Sequence, residues 1–91
     1  MVAMADLGPR RPLPNAQALA VFGWKVRARR EELALSQRAC ADGHGFSYAW
    51  LAQVERGELN PTLASLLDLA DALEIPLSDL MGDLGTESQR D

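Results

Sequence analysis

The sequence predicts an all-α fold, a compact bundle of five short helices, on three observations. The apolar residues make up 47% of the chain and are mostly alanine and leucine, which favour helices. Ile75 is the only isoleucine and valine is scarce, so a β-sheet core is not expected. Apolar residues recur at helical spacing in segments that glycine, proline or asparagine separates.

Composition divides the 91 residues into one domain with two flanking segments. Residues 1–14 combine three prolines and a glycine with two arginines, which predicts a flexible leader. Residues 15–82 carry the helical pattern and form the predicted domain. Residues 83–91 are mostly polar and form the predicted tail.

The first predicted helix runs through Ala16–Leu33, with Asn15 as its N-cap. Four apolar side chains fall near one face of this helix at a 3.6-residue period: Leu19, Phe22, Val26 and Leu33. Gly23 lies inside the same helix, and we expect it to weaken the helix by about 1 kcal/mol relative to alanine.

Two shorter helices are expected next. The second runs from Gln37 to about Asp42 with Ser36 as its N-cap, and the third covers Tyr48–Arg56 with Ser47 as its N-cap. Gly57 follows in the position where a left-handed residue commonly ends a helix.

The last two helices complete the predicted bundle. Asn60-Pro61-Thr62 forms a turn and cap, and leucines at helical spacing predict a fourth helix that ends before Pro76. A short fifth helix is expected over Ser78–Met81, with Ser78 as its cap.

Residues 36–57 have the layout of a helix-turn-helix, since two helices of about two turns flank a short break. Ala41 is small enough for the helices to cross closely, and Gly45 is expected to take a positive φ in the turn. Three apolar residues hold the second of these helices against the first: Phe46, Leu51 and Val54. The outer side, where such a helix meets the major groove of DNA, carries Tyr48, Ala49, Ala52 and Gln53.

This stretch resembles the XRE family, the Cro and phage-repressor type of helix-turn-helix protein, without a gap from Phe22 to about Met81. The residues that carry the resemblance are Arg30, Ser36-Gln37, Gly45, Glu55-Arg56-Gly57, Asn60-Pro61-Thr62 and the pattern Ala72-Leu73, Pro76-Leu77, Leu80. The resemblance implies a lambda-repressor-like domain that binds double-stranded DNA in a sequence-specific way.

The resemblance also implies a role for individual residues. Base edges are expected to face Tyr48, Ala49 and Gln53, and the Gln53 amide suits adenine because it can donate and accept together. Contacts to phosphate are implied for five residues: Ser36, Gln37, Ser47, Arg56 and Asn60. Arg30 and Glu55 are implied to form a partly buried ion pair. Cys40 departs from the family pattern, where leucine is usual, and Glu58 replaces a common cation.

The charge of the chain is −4 and is unevenly distributed. Residues 22–57 carry six basic and four acidic side chains, whereas residues 58–91 carry eight acidic side chains and only Arg90 as a base. The helix-turn-helix segment is therefore mildly basic, and Glu58 is expected to repel phosphate.

An enzyme is not expected, because the chain has one histidine, one cysteine and no glycine-rich phosphate loop. Cys40 and His44 are too few to hold a metal ion, so neither a metal nor a cofactor is predicted. No apolar run approaches the roughly 20 residues of a membrane span, and no signal peptide is apparent. The cytoplasm is the expected location.

Two kinds of partner are expected. One helix reads only a few base pairs, so a homodimer on a palindromic operator is predicted, with repression as its expected effect. Leu77, Leu80 and Met81 are candidates for the dimer interface, although the same residues are equally consistent with core packing. The alternative is a protein-interaction module, such as an antitoxin, for which Trp24 would mark the partner surface.

Overall fold

The computed structural model describes residues 15–82 and Leu84, and every regular element in that part of the chain is a helix. The all-α fold of five helices is confirmed. The predicted leader, residues 1–14, and all of the predicted tail except Leu84 lie outside the described residues. The helices are α1 (Ala16–Glu32), α2 (Gln37–Ala41), α3 (Tyr48–Glu55), α4 (Leu63–Ala72) and α5 (Leu77–Met81).

One apolar core joins α1 to α5. Its largest fully buried side chains come from all five helices and the residue that follows α4: Val26, Cys40, Leu51, Val54, Leu69, Leu73 and Leu80. Phe46, Trp50 and Leu77 are partly buried and pack against this cluster. The residues of this cluster are all apolar, so apolar contact holds it together.

Side-chain capping begins the three middle helices as predicted. The hydroxyl oxygens of Ser36, Ser47 and Thr62 each accept a hydrogen bond from the backbone N–H three residues ahead, at 2.9 to 3.1 Å. Each cap residue has extended backbone angles, which is the geometry a side-chain cap requires. These caps fix where α2, α3 and α4 start.

Two other predicted caps are wrong. Asn15 precedes α1, but its φ of 60° is left-handed and its side chain makes no capping hydrogen bond. Ser78 lies inside α5, because the helix begins one residue earlier, at Leu77, and Pro76 occupies the cap position. Proline fixes its own φ near the value that this position adopts, and the Pro76 carbonyl oxygen accepts the backbone N–H of Asp79 at 3.0 Å.

The break between α2 and α3 also differs from the expectation. Gly43 has the positive φ, at 80°, whereas Gly45 does not. The chain therefore reverses at the first glycine of Gly43-His44-Gly45. Gly57 behaves as predicted, with a φ of 70° after α3.

Gly23 is buried where α1 crosses α3, a packing role that its place within a helix did not predict. A Cβ at this position would lie 2.5 Å from the carbonyl oxygen of Val54 and 2.7 Å from that of Glu55. Backbone atoms cannot move aside as a flexible side chain can. The glycine therefore sets how closely α3 approaches α1.

None of the described helices is both long and apolar enough to cross a membrane.

Candidate nucleic-acid interface

The third helix has one face buried in the core and an opposite face exposed to solvent. Leu51 and Val54 are buried in the core, whereas Tyr48, Ala49 and Gln53 are exposed. Ala52 lies between the two faces and is half-buried. The three residues for which base contacts were predicted therefore share the solvent side of α3.

The N-terminal caps of α2 and α3 are exposed as well. Ser36 and Ser47 each use a hydroxyl oxygen to accept a backbone N–H. A hydroxyl that accepts in this way still has its O–H to donate. Each serine can therefore cap its helix and donate to a phosphate oxygen at the same time.

A buried network links α1, α2 and α3. The Arg30 guanidinium donates to both carboxylate oxygens of Glu55, with Nε 2.6 Å from Oε2 and Nη2 3.0 Å from Oε1. The two side chains are only 11% and 5% exposed, and Arg30 also donates to the Leu35 carbonyl oxygen at 2.8 Å. The hydrogen bonds that Arg30 donates to Glu55 raise the pKa of Arg30 above its already high ordinary value. This geometry fixes the end of α3 to α1.

Gln37 belongs to the same network. Its Nε2 donates to Glu55 Oε1 at 3.1 Å, and the residue is half-buried. An amide nitrogen has two N–H donors, so one of them is used by Glu55 and one remains. The side chain predicted to contact phosphate is thus oriented by the ion pair that anchors α3.

Arg56 and Glu58 pair with each other beyond the end of α3. Arg56 Nη2 lies 3.0 Å from Glu58 Oε1, and both side chains are about half exposed. The hydrogen bond from Arg56 lowers the pKa of Glu58, which keeps this carboxylate charged. The cation predicted to approach phosphate therefore carries an anion of the chain beside it. Asn60, the other predicted contact of this segment, is exposed.

A contact between α2 and α3 was not predicted from the sequence. The guanidinium carbon of Arg38 lies over the Tyr48 ring, 4.0 Å from its centroid. Helical periodicity gives no signal for this contact, because the two residues lie on different helices and meet only across the turn. Arg38 is exposed, and Tyr48 keeps 42% of its surface exposed.

Cys40 and His44 lie in different environments. Cys40 is buried in the core, where burial raises the pKa of its thiol. His44 stacks against Phe46, and its Nδ1 lies 3.9 Å from Asp71 Oδ2 of α4. Among the described residues, no three histidine, cysteine or carboxylate side chains gather in a way that would hold a metal ion.

The predicted dimer residues divide between core and surface. Leu80 is 2% exposed and belongs to the core of a single chain, so its side chain cannot serve as an interface contact. Leu77 is half-buried against the same core, and only Met81 is exposed, at 38%. Larger apolar exposure occurs elsewhere among the described residues, at Trp24, Leu63 and Leu67.

Comparison with known proteins identifies a helix-turn-helix domain, in agreement with the helices described above. A family profile described as a helix-turn-helix domain matches residues 21–80. The immunity repressor protein of Bacillus phage phi105 is 36% identical over 61 residues, which are 67% of this chain and 42% of that protein. The HTH-type transcriptional repressor RghR of Bacillus subtilis is 38% identical over 65 residues, covering 70% of this chain and 48% of the repressor. The chain spans less than half the length of both repressors.

A solved structure extends the similarity to the fold. The restriction-modification controller protein C.AhdI from Aeromonas hydrophila has a TM-score of 0.68 and 35% identity, with 71% of this chain and 94% of that chain covered. The match over residues 21–80 includes the network around Glu55, the exposed face of α3 and the capped starts of α2 and α3. The chain therefore belongs to the helix-turn-helix family, in the XRE group that its sequence resembles.

Proposed function

We propose that this chain binds double-stranded DNA in a sequence-specific way, as a homodimer on an inverted repeat, and represses transcription there. The observation that carries the proposal is the division of α3 into two faces. Leu51 and Val54 anchor one face, and the opposite face exposes Tyr48, Ala49 and Gln53. A helix that presents side chains to the major groove needs this combination of a fixed axis and a free outer face.

The exposed side chains offer complementary chemistry to base edges. The Gln53 amide suits N6 and N7 of adenine, because it can donate and accept within one plane. The Ala49 methyl group suits the methyl group of thymine, and the Tyr48 hydroxyl can donate or accept. We expect discrimination to rest chiefly on Gln53.

Most of the proposed contacts to phosphate come from uncharged side chains. Ser36, Gln37, Ser47 and Asn60 would donate without charge, and Arg56 is offset by Glu58. Since few cations would replace counterions on the DNA, affinity should depend only weakly on salt.

We infer the homodimer from the small size of the single reading helix, and we infer repression from the similarity to two known repressors. One short helix reads too few base pairs for specificity, and two-fold pairing doubles the contacts on half-sites about 34 Å apart. The phage phi105 protein and RghR are both named repressors. With Leu80 in the core, the interface would use Met81 and the exposed edge of Leu77.

The test begins with selection of a preferred duplex from a randomised library by the wild-type protein. Gln53→Ala should then weaken the selected duplex by about 1–3 kcal/mol and relax preference at one position in each half-site. Gln17→Ala removes another exposed glutamine, on α1, and serves as the matched control. If Gln53→Ala leaves the ratio of selected to scrambled affinity unchanged, α3 does not read the bases.

A second function, binding of a partner protein, is supported by the exposed apolar side chains. Trp24 is 68% exposed, and Leu63 and Leu67 lie one turn apart on α4 at 66% and 54%. The same selection separates the two proposals. A chain that binds no duplex better than about 10⁻⁴ M at low salt lacks even non-specific affinity for DNA, and partner binding then becomes the primary function.

A further inference from the structure

We propose that Arg38 is a DNA contact that acts together with Tyr48, with the tyrosine ring positioning the guanidinium against a pair of acceptors on the duplex. The proposal deepens the proposed function and rests on it. It adds a charged residue that no sequence motif assigns to the interface. It also gives Tyr48 a positioning role beyond its own base contact.

The arginines of the described chain differ in whether their guanidinium groups are already engaged. Four arginines of the described chain have their guanidinium groups engaged: Arg27 with Glu31, Arg29 with the carbonyl oxygens of Leu73 and Glu74, Arg30 with Glu55, and Arg56 with Glu58. The Arg38 guanidinium donates to no hydrogen bond and joins no ion pair within residues 15–82. Its only charge-related contact there is the Tyr48 ring. Arg38 therefore brings an unneutralised charge and a full set of donors.

The charge of Arg38 lies between the start of α2 and the start of α3. Arg38 is on α2, two residues after the Ser36 cap, and reaches across the turn to the first residue of α3. Tyr48 is on the outer face of α3 with Ala49 and Gln53. The cation is thus beside the proposed reading face, whereas the pair of Arg27 and Glu31 lies on α1.

The Tyr48 ring holds the Arg38 guanidinium by its face. A guanidinium over an aromatic face is attracted by the ring quadrupole, and its N–H groups remain free at the edge. Such an edge fits two acceptors side by side, either O6 and N7 of guanine or two oxygens of a phosphate. Holding the long arginine side chain against the ring reduces the conformational freedom that it would lose on binding. The ring, and not the hydroxyl, is what this role requires.

The experiment compares variants on the duplex selected by wild type and on a scrambled duplex, each over a salt series. Arg38→Gln should weaken the selected duplex roughly 5- to 150-fold, and should lower the slope of log affinity against log salt by about 1 for each half-site. Arg38→Lys keeps the charge and the slope but loses the planar fork, so it should lose affinity as well. Arg27→Gln, which removes an exposed arginine of α1, is the matched control and should change little.

The role of Tyr48 is tested by a double-mutant cycle. Tyr48→Phe keeps the ring and should preserve the effect of Arg38→Gln, whereas Tyr48→Leu should remove most of that effect. Loss on both duplexes alike would identify phosphate as the acceptor. Relaxed preference at one base pair per half-site would identify guanine.

Two results overturn the inference while leaving the proposed function standing. One is an Arg38→Gln variant that behaves like Arg27→Gln on a duplex that wild type binds tightly. The other is a loss of affinity on Arg38→Gln that is equally large whether residue 48 is tyrosine, phenylalanine or leucine. Failure of the proposed function looks different, because wild type itself would then select no duplex.

Discussion

Arg29 of α1 donates from Nε to the carbonyl oxygen of Leu73, the C-cap residue that follows α4, at a distance of 2.9 Å. A second bond, 3.0 Å long, runs from Nη2 to the carbonyl oxygen of Glu74. The last carbonyl groups of a helix have no partners within it, and a cation there also complements the helix dipole. The Arg29 side chain therefore connects α1 to the end of α4.

We expect Arg29→Met to lower the free energy of unfolding by about 1–2 kcal/mol, because both carbonyl groups lose a charged donor while the apolar stem remains. Arg27→Met is the matched control. Its pair with Glu31 is more than half exposed, so the cost should be about 0.5 kcal/mol or less. Urea denaturation followed by circular dichroism measures both variants. Equal costs would mean that Arg29 contributes no more than a solvent-exposed ion pair.

A methyl group at position 23 should destabilise the fold although alanine favours helices. Gly23→Ala would place Cβ 2.5 Å from the Val54 carbonyl oxygen, so α1 and α3 must separate. We expect a net loss of about 1–3 kcal/mol, the usual cost of overpacking. Gly45→Ala is the control, because its Cβ would meet only the exposed side chain of Asp68, at 3.0 Å, which can move away. A Gly23→Ala variant as stable as wild type would show that the two helices tolerate a wider spacing.

These two residues show what could be predicted from sequence and what could not. The caps Ser36, Ser47 and Thr62 were predictable, because a cap depends on residues three positions apart. The buried face of α3 was predictable for the same reason, since its periodicity is local. Gly23 and Arg29 have partners more than thirty positions away in the chain, and no local pattern contains that information.

The candidate site also combines features that the local sequence predicts with a feature that it does not. The outward positions of Tyr48, Ala49 and Gln53 follow from helix periodicity. The contact between Arg38 and Tyr48 depends on how the turn places α2 against α3, and the turn was predicted with the wrong glycine. Once Gly43 takes the positive φ, the crossing of the two helices is a tertiary outcome that propensities do not specify.

The network around Glu55 should be necessary for stability. Glu55→Gln leaves Arg30, 11% exposed, without its counterion and without one strong acceptor. We expect a loss of about 3–5 kcal/mol in the free energy of unfolding. Replacing both partners, with Arg30→Met and Glu55→Leu, should recover much of that loss because no unpaired charge remains. Denaturation with urea measures the cycle, and a cost below about 1 kcal/mol for Glu55→Gln would place this pair among ordinary surface ion pairs.

Cys40 should make stability fall at alkaline pH. Burial raises the pKa of the thiol in the folded chain above its ordinary value of 9.0, so the folded state holds this proton more tightly than the unfolded state does. The contribution of the thiol is therefore complete below about pH 9, and is lost as pH rises through the folded pKa. Subtracting the pH profile of Cys40→Ala from that of wild type isolates this effect, because all other groups titrate in both.

A kinetic measurement checks the same burial. Iodoacetamide reacts with thiolates, so Cys40 should be alkylated much more slowly in the folded chain than in urea at the same pH. Equal rates in the two states, or a flat difference between the two pH profiles, would contradict a buried and protonated thiol.

Glu58 neutralises Arg56, the cation that is proposed to approach phosphate, and removing its charge should strengthen DNA binding. Its carboxylate forms an ion pair with Arg56, with Oε1 3.0 Å from Nη2, so Glu58→Gln should free a guanidinium beyond the end of α3. On the proposed interface, this variant should bind all duplexes more tightly and steepen the slope of log affinity against log salt by about 1 for each half-site. Glu58→Lys should tighten binding further, since it adds a second cation. Because Arg56 lowers the pKa of Glu58, the difference between wild type and Glu58→Gln should persist at pH 5. Glu31→Gln, which frees Arg27 on α1, is the matched control. An equal gain from both variants would mean that only net charge matters, and no gain from Glu58→Gln would mean that Arg56 makes no contact with phosphate.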